Sequence, residues 1–138
     1  MKSLVPYLSF ESNCREAMEF YRDCLGGTLT LMTVGESPMA AQVPAQVHGL
    51  IMHAKLSGEA FGLMASDDIQ GGKVTVGSAI NLMIDCASEK EIRELFPKLA
   101  RGGKVNSELK VEFWGSLYGD LTDKYGLRWM LNFDQPKA

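Results

Sequence analysis

Residues 13–27, NCREAMEFYRDCLGG, and residues 88–103, SEKEIRELFPKLARGG, decide how this chain folds. Each opens on a helix-capping residue with a glutamate three positions on, Asn13 with Glu16 and Ser88 with Glu91. That pairing can satisfy the free amide donors at a helix start. Apolar residues then recur at helical spacing, Ala17, Phe20, Tyr21 and Cys24 in one, Ile92, Leu95, Phe96 and Leu99 in the other. Each stretch closes on a glycine pair that supplies a left-handed stop. The two glutamates lie 75 residues apart in a chain of 138, so the signal is a duplicated unit. Pro97 breaks the likeness. Lacking an N–H and crowding the preceding turn, it is expected to kink the second helix or end its regular part early.

Working outward, residues 3–10, 28–34, 48–56 and 61–66 read as strands around the first helix. Residues 79–86, 104–114, 116–121 and 127–133 do so around the second. Both halves therefore read β-α-β-β-β. Residues 36–46 and 67–77 are expected to be long loops, with Asp67-Asp68 a solvated turn because adjacent carboxylates on extended chain face opposite ways. The expected protein is α+β: a single domain over 1–138 made of two modules, 1–68 and 77–138, joined by a loop. One helix against a four-stranded sheet in each would build a curled mixed sheet with a concave face.

Composition removes several functions. An apolar fraction of 46% and a charged fraction of 22% are globular values. A net charge of −3 has the wrong sign for a nucleic-acid partner held through phosphates. No apolar run reaches the roughly 18 residues that span a bilayer, so no membrane partner is expected. The opening MKSLVPYLSFESN has no long apolar core and does not read as a signal peptide. Three cysteines without a C-x-x-C pair suit reduced thiols in a cytoplasmic protein, and Cys14 and Cys24 fall about 15 Å apart along one helix. No G-x-G-x-x-G after a strand, Walker A or G-x-S-x-G motif is present.

The segment FWGSLYGDLTDKYGLRWMLN (113–132), with AMEFYRDCLGG (17–27), resembles the vicinal oxygen chelate superfamily of glyoxalase I, bleomycin-resistance proteins and extradiol dioxygenases. It is most similar to the PhnB-like branch, through Trp114-Gly115, Tyr118-Gly119, the turn Asp123 to Gly126 and Trp129. MHAKLSG (52–58) and LMASD (63–67) also look like that branch. The branch's usual Asp-Pro-Phe-Gly turn is Asp-Lys-Tyr-Gly here, with the glycine kept. The resemblance spans nearly the whole chain and implies the paired β-α-β-β-β fold, a glyoxalase/bleomycin-resistance fold, and a homodimer.

Metal-dependent members of the superfamily hold a divalent ion with His and Glu side chains inside the sheet. Carried across by the helix and closing strand, those positions fall near Val5, His53, Ala79 and Met130. Shifted by two residues they become Tyr7, Ser9, Asn81 and Asn132. One ligand in four does not make a site, so no metal and no other cofactor is expected. Some relatives in the branch carry a demethylubiquinone methyltransferase label, but no glycine-rich strand-to-helix turn is present to cradle a nucleoside cofactor.

His53 has two explanations: a hydrogen-bonded structural histidine, or a group that orients a ligand or moves a proton. It becomes a metal ligand only if a metal is bound. His53 is expected to share a strand face with Ile51 and Lys55, with His48 opposite. Aromatic residues here could equally be core or interface. Methionines in strands, with a few polar groups, nevertheless describe an adaptable small-molecule pocket. The candidate binding residues are Tyr7, Ser9, His53, Asn81, Trp114 and Met130. The expected function is metal-independent binding of a small, partly apolar molecule. The alternatives are a metal-dependent lyase, isomerase or dioxygenase-like enzyme using His53, and a structural or regulatory dimer without a ligand.

Overall fold

The computed structural model describes residues 1–136. The chain divides into two compact units, Met1–Thr75 and Val76–Ala138. In the first, strand β1 (Tyr7–Phe10) leads into helix α1 (Cys14–Leu25), followed by β2 (Thr28–Thr33), β3 (Ile51–Ser57) and β4 (Gly62–Asp67). The sheet order is β1-β4-β3-β2, with β1 parallel to β4 and the other pairs antiparallel. The second unit runs β5 (Leu82–Asp85), α2 (Glu89–Ala100), β6 (Lys104–Val111), β7 (Ser116–Thr122) and β8 (Arg128–Asp134). Its order, β5-β8-β7-β6, and its one parallel pair, β5 with β8, repeat the first. The α+β architecture of two β-α-β-β-β modules, each an open mixed sheet under one helix, is thus present.

Strand alternation sorts each sheet into a helix side and an open side. In the first unit Phe10, Ala54, Leu56, Leu63 and Ala65 are buried beneath α1, which contributes Ala17, Met18 and Tyr21. In the second, Leu117, Leu121, Trp129 and Leu131 are buried beneath Ile92, Leu95, Phe96 and Leu99 of α2. The second glycine of each pair has a packing role. A Cβ on Gly27, whose φ is +97°, would lie 2.7 Å from the Ser57 carbonyl oxygen, and one on Gly103 would run into the carbonyl of Thr122. Each glycine lets the chain leaving a helix pass against a strand backbone.

Several expectations change. α2 continues three residues past Pro97, to Ala100, so the proline does not end it. Residues 34–47 are not featureless loop: three 3-10 turns, Val34–Glu36, Ala40–Gln42 and Ala45–Val47, occupy them. The first carries a capping box that was not anticipated, with the Thr33 hydroxyl accepting from Glu36 N–H at 3.2 Å and Glu36 Oε1 accepting from Thr33 N–H at 3.0 Å. That pairing holds the Glu36 carboxyl below its ordinary range, chiefly through the bond from Thr33 N–H. β3 starts at Ile51, so His48 is not in a strand; its Nε2 donates to the carbonyls of Ala40 at 2.8 Å and Val43 at 3.3 Å, tying the 3-10 turns together.

The helix caps also differ from expectation. Asn13 makes no side-chain cap bond. Instead Asp67, expected in a solvated turn, ends β4 on the helix side, is 7% exposed, and accepts from Cys14 N–H at 2.9 Å. Its other oxygen accepts from Ile51 N–H at 2.8 Å. At α2 the Ser88 hydroxyl accepts from Glu91 N–H at 3.0 Å, as expected, while Glu91 reaches one residue further back, to Ala87 N–H at 2.8 Å.

Candidate functional site

The open face of the first sheet begins with a bulge. β2 and β3 pair Met32 with His53 and then Thr33 with Ile51, leaving Met52 as an extra residue. The insertion changes the alternation: Ile51 is buried on the helix side, whereas Met52 and His53 are both partly exposed and Ala54 is buried again. His53 therefore shares its face with Lys55 but not with Ile51, correcting the simple period-2 pattern. Bulges re-aim side chains in this way. Asp67 anchors the bulge, because the Ile51 N–H it accepts from is the residue just before Met52.

Beside His53, β4 turns Met64 and Ser66 outward, and β1 turns Tyr7 and Ser9 outward. Register sets Tyr7 beside Met64, Met64 beside Lys55, and Ser9 beside Ser66. The Tyr7 and His53 rings lie 6.1 Å apart, tilted by 34°, and Tyr7 is 52% exposed. At one end of this face an open groove of about 550 Å³ is lined by Ser9, Met52, Ser66, Asp68, Gln70 and Lys73 among others. Three of the six candidate residues, Tyr7, Ser9 and His53, thus gather on one surface. The strand methionines Met32 and Met52, expected to give a pocket its lining, and Lys55, expected on the face of His53, belong to it, while Ser66 was not singled out; plain alternation would turn Met52 to the other face, and the bulge brings it here.

The second sheet's open face has different chemistry. Met130 of β8 sits beside Met83 of β5 and Asp120 of β7. Asn132 donates to Asp85 at 3.1 Å; Ser116 at 2.6 Å, and then Asn132 at 3.1 Å, donate to Asp134 and hold its carboxyl below the ordinary range. The Tyr118 hydroxyl donates to Asp120 at 2.9 Å; burial first, then that bond, pushes its pKa up to about 12. Trp114 lies in the turn between β6 and β7, 54% exposed, its ring 5.0 Å from Phe113 and 6.1 Å from Tyr118. Asn81 precedes β5 by one residue and is exposed, outside the strand expected over 79–86. In this unit the structure sets Met130 on the sheet face, Trp114 in a turn and Asn81 ahead of a strand.

The superfamily's metal does not fit these residues. Among the described residues no three His, Cys, Asp or Glu side chains come together as a ligand set. Around His53 the outward neighbours are hydroxyl, thioether and ammonium groups, and Lys55 would oppose a cation. A nucleoside cofactor of the methyltransferase kind fits no better. The strand-to-helix turns, Glu11-Ser12-Asn13 and Cys86-Ala87-Ser88, contain no glycine, and the Asp67 carboxylate already occupies the first amide of α1.

Two modules of this topology define a protein class. A glyoxalase/bleomycin resistance protein/dioxygenase from Nocardioides shares the fold at 18% identity, with a TM-score of 0.58 over all of this chain and 87% of that one. The family model described as 3-demethylubiquinone-9 3-methyltransferase matches residues 2–132. Protein YjdN of Escherichia coli is 34% identical over 94% of this chain and 93% of its own length. Protein PA1353 from Pseudomonas aeruginosa is 38% identical, with a TM-score of 0.86 over 99% and 100% of the two chains. The PhnB protein from Bacillus cereus is 26% identical, with a TM-score of 0.76 over 96% and 99%. The chain belongs to this PhnB-like family, and it shares its fold with glyoxalase/bleomycin-resistance/dioxygenase proteins.

Proposed function

We propose that this protein binds a small, partly apolar molecule on the open face of its first sheet, around Tyr7, Ser9 and His53, without the superfamily's metal. The observation that carries this is the bulge: it brings Met52 out beside His53, whose ring lies 6.1 Å from that of Tyr7, on a face with a groove at its end. Methionines give such a surface an adaptable apolar lining, and an imidazole, a phenol and a hydroxyl give it orientation. Trp114, Met130 and Asn81 lie on the second unit, and they are proposed as contacts for a small molecule on that unit's own surface. The proposal includes a cytoplasmic homodimer, supported by the family resemblance and by reduced thiols at Cys14, Cys24 and Cys86.

The test is a small-molecule screen followed by thermal shift in metal-free buffer, repeated with His53→Ala and Tyr7→Ala. We expect hits that survive chelator and weaken about tenfold in either variant, the size of one well-made polar or ring contact. Stoichiometric metal on the purified protein, with binding lost in chelator, would replace this proposal with the metal-dependent enzyme.

A further inference from the structure

We infer that the first sheet's open face takes a small organic carboxylate with an apolar body, the carboxylate held by Lys55 and the body lying along the methionines toward Tyr7 and His53. This deepens the binding proposal and rests on it. The inference comes from the charge of the face. The outward side chains of β1, β2, β3 and β4 include no carboxylate, although Asp and Glu outnumber Lys and Arg by 17 to 14 in the chain. The one acid in those strands, Asp67, points to the helix side and spends its oxygens on Cys14 and Ile51 N–H. Lys55, by contrast, is exposed at the middle of the face and has no ion pair among the described residues.

Its surroundings specify the rest of the ligand. Lys55 pairs in register with Thr30 on one side and Met64 on the other, and Tyr7 lies beyond Met64. His53 stands two residues along the same strand, about 7 Å away by strand rise. An anion at the Lys55 ammonium therefore has a hydroxyl beside it and thioether and aromatic surface within one small molecule's reach. A cationic ligand would meet Lys55 with nothing to offset it. A fully neutral ligand would leave the charge without a counterpart. Asp68, which accepts from Gln70 N–H at 2.9 Å, and Lys73 both line the groove, so that end of the face carries one charge of each sign and the carboxylate belongs at Lys55.

The experiment uses three probes of one shape: 2-naphthylacetate, the neutral 2-naphthylacetamide and the cationic 2-(2-naphthyl)ethylamine. Each is titrated into the isotope-labelled full chain, and backbone amide shifts of β1, β3 and β4 are followed by NMR. We expect the carboxylate to bind about tenfold tighter than the amide, the size of a charge-assisted contact at a partly open site, and the amine weakest. In Lys55→Gln the carboxylate should fall to parity with the amide, while the amide affinity and the melting temperature stay put. Lys73→Gln should leave the preference intact. Equal binding of carboxylate and amide, or a preference removed by Lys73→Gln rather than Lys55→Gln, overturns the anion inference and leaves the binding site standing. If none of the three shifts this face, the site itself falls and the inference with it.

Discussion

The two units share strand order, one parallel pair and a helix over the sheet, yet they secure the helix start differently. α2 is capped from within its own neighbourhood, by Ser88 and Glu91. α1 is capped by Asp67, 53 residues away in sequence from Cys14, on the last residue of β4. The difference has a consequence for function. A local cap ties a helix to its own turn, whereas the Asp67 carboxylate ties α1, the end of β4 and the start of the β3 bulge at one point. The face carrying His53 is therefore set by a buried charge on the other side of the sheet. In the second unit the buried carboxylate is Asp123, 3% exposed, and it serves a turn: it accepts from Tyr125 and Leu127 N–H at 2.8 and 3.1 Å and from the Trp129 indole at 2.8 Å.

Removing Asp67 is the strongest way to break the comparison. Asp67→Ala strands two buried N–H donors that now meet a carboxylate, and we expect a loss of about 4 kcal/mol in urea unfolding. Ligand-face amides of Met52 and His53 should shift in the native NMR spectrum. A loss near that of a single exposed cap would mean water takes over both bonds, and the long-range tie would be no tie at all.

The glycine pairs test where the units agree. Gly27→Ala and Gly103→Ala each push a methyl into backbone, at the Ser57 and Thr122 carbonyls. Backbone cannot step aside as a side-chain tip can, so each should cost roughly 2 kcal/mol or more. Gly26→Ala is the useful contrast, since a Cβ there meets nothing within 4 Å and only the positive φ of 78° resists it. Stability curves for the three variants would separate clash from backbone strain.

The features repeated in both units are the ones legible in the sequence. Helical periodicity, glycine pairs and turn residues act over short range, so α1, α2 and the order of strands could be read directly. Ser88 could be read as a cap because its partner is three residues away. Asp67 could not, because its partners lie 53 and 16 residues off and only the folded sheet brings them together. The same holds for the bulge at Met52: one inserted residue flips the face of those before it without glycine or proline to mark the place. The candidate site was thus legible in part. Tyr7, Ser9 and His53 were found by alternation and resemblance, and Lys55 by its place two residues from His53, but Met52 joined their face only through the bulge. Pro97 was overestimated: in the last turn of α2 its missing N–H deprives only the Arg93 carbonyl, one turn earlier, and the helix runs on to Ala100.

A smaller effect follows at the local cap. Ser88→Ala should cost about 1 kcal/mol, because Glu91 N–H can turn to water at an exposed helix end. The ratio between this loss and that of Asp67→Ala measures how far the two caps differ. Comparable losses would show that water reaches the Cys14 and Ile51 donors as readily as it reaches Glu91 N–H.

The smallest effect at neutral pH separates the units again, through their thiols. Cys14 is fully buried at the first position of α1, and its pKa is pushed up to about 12, by burial first and then by the Asp67 charge. Cys86, 6% exposed ahead of α2, is pushed up to about 11, by burial and then by Glu91 and Asp85. Both are raised from an ordinary value of 9.0, so the folded state holds the protonated thiol more firmly than the unfolded chain does. That stabilisation is complete below pH 9.0 and is lost as pH rises through the folded values of about 11 and about 12. Unfolding midpoints should therefore be flat from pH 7 to 9 with respect to these groups and fall above it. Cys14→Ala should remove the part of the decline that extends furthest, and Cys86→Ala the part that ends first. At pH 8 a thiol reagent should modify partly exposed Cys24 in the folded chain well before either of the others. Rapid modification of Cys14 there would mean that the α1 start opens readily, and that Asp67 does not hold it.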